Sequence, residues 1–159
     1  MTGSETTELV KDYVVHVGFA KCGSTFLQQY FRDHTQIEMV KRPQVRHLLA
    51  ANNDLSYDPD AARLYFAEFG RSAQDKNKRQ VYSSERLAGN VLTGHYDMQA
   101  MALRLNKIFV KPKILLMVRN QISLIASIYR QHLKVGGAKT LEQFIAPGDG
   151  RIPVFDWRA

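Results

Sequence analysis

Cysteine and long apolar runs are scarce in this chain. One cysteine among 159 residues excludes an internal disulfide and a cysteine-based zinc pattern. No apolar run approaches the roughly 20 residues that a membrane-spanning helix requires. The polar, acidic residues 1–8 are unlike a signal peptide, so we expect a cytoplasmic protein without a membrane span. We also expect no bound metal, because no metal-site spacing relates His16, His34, His47 and His95.

Length and charge set further limits. A chain of 159 residues with 45% apolar composition can bury one core, which predicts a single domain over residues 1–159. The net charge of +7 suits a multiply anionic ligand. Nucleic acid is one such partner, but the basic residues are scattered and no aromatic stacking series accompanies them. We therefore interpret them as a solvated surface, including the small clusters Lys76, Lys78, Arg79 and Lys107, Lys111, Lys113.

A glycine-containing turn stands near the start of the chain. Residues 18–28, GFAKCGSTFLQ, follow the apolar run at 14–17 and open an amphipathic helical pattern. A strand that turns into a helix leaves backbone N–H groups unpaired, and the helix dipole adds partial positive charge there. The turn therefore predicts an anion site, although a plain strand-to-helix connection is the alternative interpretation.

The turn departs from the ordinary triphosphate loop, which reads Gly, four residues, Gly, Lys and then Ser or Thr. Gly18 and Gly23 keep that spacing, but Ser24 stands at the lysine position and Lys21 comes earlier. The order Lys21, Gly23, Ser24, Thr25 resembles the 5′-phosphosulfate loop of the sulfotransferase family, whose donor is 3′-phosphoadenosine 5′-phosphosulfate (PAPS). The resemblance implies that the donor is bound by Ala20, Lys21, Cys22, Gly23, Ser24 and Thr25.

Cys22 lies inside this predicted loop. We interpret it as a small filler and not as a nucleophile. Its place beside a helix start is expected to lower the pKa of its thiol.

A second strand and helix are predicted within residues 113–134. Ile114 to Val118 fit a strand buried on both faces of a parallel sheet, which places Arg119 at the carboxyl edge of a central strand, where such sheets bind ligands. Ser127 comes two helical turns later and is expected to face the same space. The predicted core-facing stripe of this helix consists of Ile122, Ile125, Ala126, Tyr129 and Leu133.

Arg119 and Ser127 resemble the sulfotransferase 3′-phosphate site, in which an arginine ending a strand and a serine eight residues later hold the nucleotide. Arginine supplies a two-pronged donor for phosphate. The match is partial, because Gln121 replaces the usual proline and Leu124 replaces a frequent second arginine. An exposed arginine and a tolerated helix serine are the alternative interpretation.

A candidate base follows the predicted strand at 80–83. Glu85 comes directly after two serines, and it resembles the carboxylate that acts as general base in many members of the family. The alternative is structural: Ser84 caps a helix, and Glu85 lies in its first turn, where a negative charge favours the dipole.

Strands and helices alternate along the chain, which predicts a three-layer α/β/α fold with a central parallel sheet and a P-loop-like strand, loop and helix. Segment 41–78 is the least regular, and we expect it to shape acceptor binding through Lys41, Arg42, Arg46 and His47. Strands are predicted at 13–18, 37–40, 80–83 and 113–118, and helices at 24–34, 59–69, 96–108, 120–134 and near 140–146.

These features together predict a sulfotransferase that moves a sulfuryl group from PAPS to a hydroxyl or amine, leaving adenosine 3′,5′-bisphosphate (PAP). Lys21 and Glu85 are the predicted catalytic residues. A P-loop nucleotide kinase is an alternative, disfavoured because no lysine follows Gly23. A non-catalytic nucleotide-binding module is another, because family members normally continue beyond this helix. We expect either a form without the usual C-terminal part or a homo-oligomer whose second subunit completes the site.

Overall fold

The computed structural model describes residues 13–40, 43, 46–50, 57–90 and 95–146. Its strands are β1 (Tyr13–His16), β2 (Ile37–Met39), β3 (Arg79–Ser83) and β4 (Lys113–Leu115). Its helices are α1 (Ser24–Asp33), α2 (Pro59–Asp75), α3 (Met98–Ile108), α4 (Gln121–Lys134) and α5 (Leu141–Ile145). A π-helical turn at Arg46–Ala50 and a 3₁₀ turn at Glu85–Ala88 complete the described elements.

The four strands form one parallel sheet in the order β2-β3-β1-β4. β1 lies between β3 and β4, so Val15 is paired with Tyr82 on one side and with Ile114 on the other. The strands are joined by helical segments, as parallel pairing requires. The predicted α/β class and parallel sheet are confirmed.

The main core lies on the sheet face that carries Tyr13, Val15 and Tyr82. Phe66 of α2 meets Tyr82 edge-on, with ring centroids 4.1 Å apart, and Phe109 follows the end of α3. Because a buried aromatic ring removes a large apolar area from water, this cluster is the principal anchor of α2 and α3 to the sheet.

The opposite sheet face is also buried. It carries His16, Val81 and Ser83, which are at most 2% exposed. Strand side chains alternate between faces, so these three point away from the main core. α1 packs beside β2 and β3 and buries Gln28 and Phe31. Helices therefore occupy both faces of the sheet.

Several boundaries differ from the prediction. β1 ends at His16 and β4 at Leu115, although pairing continues beyond them: the N–H of Val17 donates to Leu115 O over 3.0 Å. α2 runs to Asp75, six residues beyond the predicted end, because its buried face continues through Gly70 and Ala73.

The prediction that β4 is a central strand buried on both faces was wrong. β4 is an edge strand of the described sheet, and Ile114, Leu116 and Val118 are 55%, 49% and 72% exposed. A run of apolar residues indicates a strand but not how many neighbours the strand has. Arg119 therefore follows an edge strand.

The predicted core stripe of α4 was also wrong. Ile122 is 80% exposed, Ala126 and Leu133 are exposed too, and the buried side chains are Leu124, Ser127 and Ile128. α4 packs on a second apolar cluster beneath the loop after β1, which consists of Cys22, Leu124 and Ile128 with Phe19, Met117 and Phe144. The side of α4 that carries Leu124 and Ile128 is buried because it faces this cluster.

Candidate active site

The loop between β1 and α1 is shaped by two glycines. Gly23 immediately precedes α1 with φ of 90°, a left-handed conformation that favours glycine, and Lys21 has φ of 64°. A Cβ added at Gly18 would lie 2.4 Å from His16 Nε2, so a side chain there would collide with the buried ring. Among the residues that the structure describes, no side chain caps the start of α1, which leaves its first N–H groups for a ligand.

The end of β4 reaches this loop through Arg119. Its Nη1 donates to Lys21 O over 3.1 Å, and its Nε donates to Ser123 Oγ over 3.0 Å. Asn120 caps α4 by accepting from the N–H groups of Ile122 and Ser123. The two predicted anion sites are therefore neighbours in the folded chain.

A cleft of about 760 Å³ lies between these segments, a volume typical of small-molecule and cofactor sites. It brings together eight of the predicted site residues: Ala20, Lys21, Gly23, Ser24, Thr25, Glu85, Arg119 and Ser127. Their roles stay predictions, but their common location follows from the parallel sheet, whose strand ends share one edge.

Ser24 is the most deeply buried of the predicted loop residues in the cleft wall. It is 4% exposed, and its Oγ has no hydrogen-bond partner among the described residues. A buried hydroxyl without a partner is unfavourable, and such groups are rare in native structures. A ligand oxygen in the cleft would supply the missing partner.

Cys22 does not line the cleft with its neighbours. Its side chain packs in the second apolar cluster, and its N–H donates to Phe19 O over 3.3 Å. Burial raises the pKa of the thiol; the Arg119 charge opposes that rise, and Glu85 adds to it. The prediction of a lowered pKa was wrong, because burial disfavours the charged thiolate and this effect exceeds the opposing effect of the Arg119 charge.

Glu85 lies half-buried in the cleft wall, at the start of the 3₁₀ turn. Ser84 Oγ caps that turn by accepting from the Arg86 N–H over 3.3 Å. Arg86 Nη1 lies 2.7 Å from Asp97 Oδ2, which ties the turn to the start of α3. The predicted cap by Ser84 and the place of Glu85 in the first turn are confirmed, and this position puts Glu85 in the cleft wall, where its catalytic role stays a prediction.

His16 is a buried group that the sequence interpretation left unused. Its ring is fully buried at the end of β1, and Nδ1 lies 2.8 Å from Ser83 Oγ. Burial lowers the pKa of His16, and the Glu85 charge partly offsets this effect. This contact links the last residue of β1 to the last residue of β3, and these strands lead to Lys21 and to Glu85 respectively.

Four further residues of α4 and its end line the cleft, and sequence reasoning missed them as site residues: Ile128, Gln131, His132 and Val135. His132 lies 5.0 Å from Phe144, centroid to centroid, and a Cβ at Gly137 would fall 2.1 Å from its ring. The available signal was helical spacing, since positions 131 and 135 follow Ser127 by four and eight residues.

Two of the four predicted acceptor residues belong to the described part of the chain, and neither lines this cleft. Arg46 and His47 lie in the π-helical turn and do not line the cleft, and Lys41 and Arg42 lie outside the described residues. Within the described ranges, no group of three or more His, Cys, Asp or Glu residues has metal-binding geometry. No helix in that part of the chain is long and apolar enough to cross a membrane.

The fold and the cleft define an α/β protein with a strand-to-helix loop and an adjoining cleft at the carboxyl edge of a parallel sheet. A family model described as "Sulfotransferase domain" matches residues 11–157, so the chain belongs to the sulfotransferase domain family. Comparisons with curated proteins and with solved structures gave no match. Membership of this family supports an enzyme that transfers sulfuryl groups.

Proposed function

We propose that the protein transfers a sulfuryl group from PAPS to a hydroxyl or amine of an acceptor. The observation that carries the proposal is the contact between the two anion sites: Arg119 Nη1 donates to Lys21 O, and both residues line one cleft. A nucleotide with phosphates at both ends of its ribose needs two such sites in one space.

The donor would be held at both ends. Lys21 and the N–H groups of Gly23 to Thr25 would bind the 5′-phosphosulfate at the start of α1, and Ser24 Oγ would gain its missing partner. Arg119 and Ser127 would bind the 3′-phosphate, with the guanidinium as a forked donor.

In the reaction, the acceptor oxygen or nitrogen forms a bond to sulfur while the bond between sulfur and the bridging phosphate oxygen breaks. The electron pair of that bond stays on the phosphate of PAP, where Lys21 stabilises the developing charge. Glu85 takes the acceptor proton. The transferring sulfuryl group carries less negative charge than a phosphoryl group, so we expect lysine to suffice at this position without magnesium.

The substitution Lys21→Ala tests the central role. Both side chains carry a Cβ, so the left-handed backbone at residue 21 is retained. We expect transfer to fall by about 10²–10³-fold, the usual cost of removing a donor that stabilises developing charge. The measurement is PAP release from labelled PAPS with a panel of sugar, phenol and amine acceptors.

The matched control is Lys107→Ala, which removes an exposed lysine of α3 away from the cleft. Its rate should equal that of the wild type. Equal rates for the wild type and the Lys21 variant would eliminate the proposed role of Lys21.

Nucleotide preference separates this proposal from a magnesium-dependent kinase. PAP without magnesium should raise the melting temperature, since a ligand at 100 times its Kd stabilises by about 2.7 kcal/mol. ATP with magnesium should leave it unchanged. PAP binding without transfer to any acceptor would instead favour a non-catalytic module.

A further inference from the structure

A smaller groove adjoins the donor cleft along α4. It encloses about 290 Å³ and is lined by Lys21, Ser127, Arg130, Gln131 and Lys134. Lys21, Ser127 and Gln131 also line the donor cleft, so the two spaces are continuous along this wall. Three of the five side chains are cationic and none is acidic.

The groove follows from helical spacing. Residues 127, 130, 131 and 134 are separated by three and four positions, which places them on one face of α4. Lys21 Nζ donates to Gln131 Oε1 over 3.5 Å and so joins the phosphate loop to this face. Within the described residues, Arg130 and Lys134 have no acidic partner at ion-pair distance.

The groove begins at the residue expected to face the reacting group. If Lys21 holds the bridging oxygen of PAPS, the acceptor nucleophile attacks sulfur from the side opposite that oxygen, where Glu85 of the same cleft is the proposed base. Other groups of the acceptor can then extend into the groove along α4, which is continuous with the cleft. Its wall is cationic over one helical turn. Cations arranged in this way bind carboxylate, sulfate or phosphate groups through charge-assisted hydrogen bonds.

We propose that Arg130 and Lys134 bind an acidic group of the acceptor, so that the acceptor is an anionic compound, such as a sugar with carboxylate or sulfate substituents. This inference rests on the proposed sulfotransferase function. It adds a substrate class to that function. Ser127 lines both the cleft and the groove. The alternative is therefore that Arg130 and Lys134 bind the 3′-phosphate of the nucleotide and not an acidic group of the acceptor.

The test uses the double variant Arg130→Gln/Lys134→Gln and the matched control Arg71→Gln/Lys107→Gln. The control also removes one arginine and one lysine, but from exposed positions on α2 and α3. Calorimetric titrations at about 150 mM salt, where long-range charge effects are screened, measure three probes on each protein. The probes are PAP, sulfated maltotriose and unsulfated maltotriose, and both sugars are titrated with and without PAP.

We expect the Arg130/Lys134 variant to lose at least about tenfold in affinity for sulfated maltotriose and to keep the wild-type affinity for PAP. The control variant should behave like the wild type towards all three probes. Unsulfated maltotriose should bind at least about tenfold more weakly than the sulfated sugar.

Three results would overturn the inference. A loss of PAP affinity with unchanged sulfated-sugar affinity assigns the groove to the nucleotide. Equal losses of affinity for sulfated maltotriose in the two double variants would indicate a general charge effect. If the wild type does not bind sulfated maltotriose, the groove is not a site for anionic acceptors. Failure of the proposed function is seen separately, as absence of PAP binding to a wild type that still binds the sulfated sugar.

Discussion

Ser24 gives the sharpest prediction for a single residue. Its hydroxyl is buried without a partner among the described residues, so Ser24→Ala removes no hydrogen bond from the free protein. We expect the free energy of unfolding without ligand to stay the same or rise slightly. We expect PAP affinity to fall by about ten- to hundredfold, because one hydrogen bond to a charged group is lost.

Urea unfolding of the free protein and calorimetric titration with PAP measure the two effects. The control is Ser123→Ala. In the wild type, the Ser123 hydroxyl accepts a hydrogen bond from Arg119 and donates one to Asn120 O. Ser123→Ala should therefore destabilise the free protein. If Ser24→Ala leaves PAP affinity unchanged, its hydroxyl does not contact the ligand.

For single residues, the sequence correctly predicted which side chains meet in the cleft when each of them follows the end of a strand. Lys21, Glu85 and Arg119 each follow a strand, and parallel strands bring their carboxyl ends to one edge. Cys22 differs, because its exposure depends on how the loop is turned. Its neighbours line the cleft, while its own side chain packs against Leu124 and Ile128.

At the scale of elements, the loop after β1 depends on a contact between Gly18 and His16. Gly18→Ala would place a methyl group 2.4 Å from His16 Nε2, and we expect a loss of about 1–3 kcal/mol in the free energy of unfolding. In a His16→Ala background the ring is absent, so the same substitution should cost less. Urea unfolding of the four proteins gives the coupling free energy.

The expected coupling lies between about 0.5 and 3 kcal/mol. Additive effects would show that His16 does not restrict residue 18. In that case the glycine would have to be explained by the loop backbone alone.

The same scale shows why two element-level predictions failed. The apolar run at 114–118 correctly indicated a strand, yet β4 lies at the edge of the sheet that the described residues form, and Ile114, Leu116 and Val118 are exposed. Helical spacing correctly predicted α4, but apolar residues lie on more than one side of this helix, so the spacing did not decide which side is buried. The face that became buried carries Leu124 and Ile128, because Cys22, Phe19 and Met117 lie beneath it.

For the whole molecule, buried His16 makes stability depend on pH. Burial lowers its pKa in the folded state below the ordinary value of 6.5, so the unfolded chain takes up the proton first as pH falls. The free energy of unfolding should therefore be largest above about pH 6.5 and decline towards the folded pKa. The decline approaches about 1.4 kcal/mol for each pKa unit of lowering.

Urea unfolding from about pH 7.5 to about pH 5 measures this decline in the wild type and in His16→Val. Other titrating groups are common to both proteins, so the difference between the two slopes reports His16. Identical slopes would contradict a buried, neutral His16.

The sequence by itself determined the fold class, the strand-to-helix loop and the residues at strand ends, because these depend on local patterns and on the geometry of parallel strands. The tertiary structure decided which face of α4 is buried, that β4 is an edge strand, that Cys22 turns inward and that Ile128, Gln131, His132 and Val135 join the cleft. The physical reason is that burial depends on which distant segments meet, and neither apolar spacing nor residue type specifies the partner.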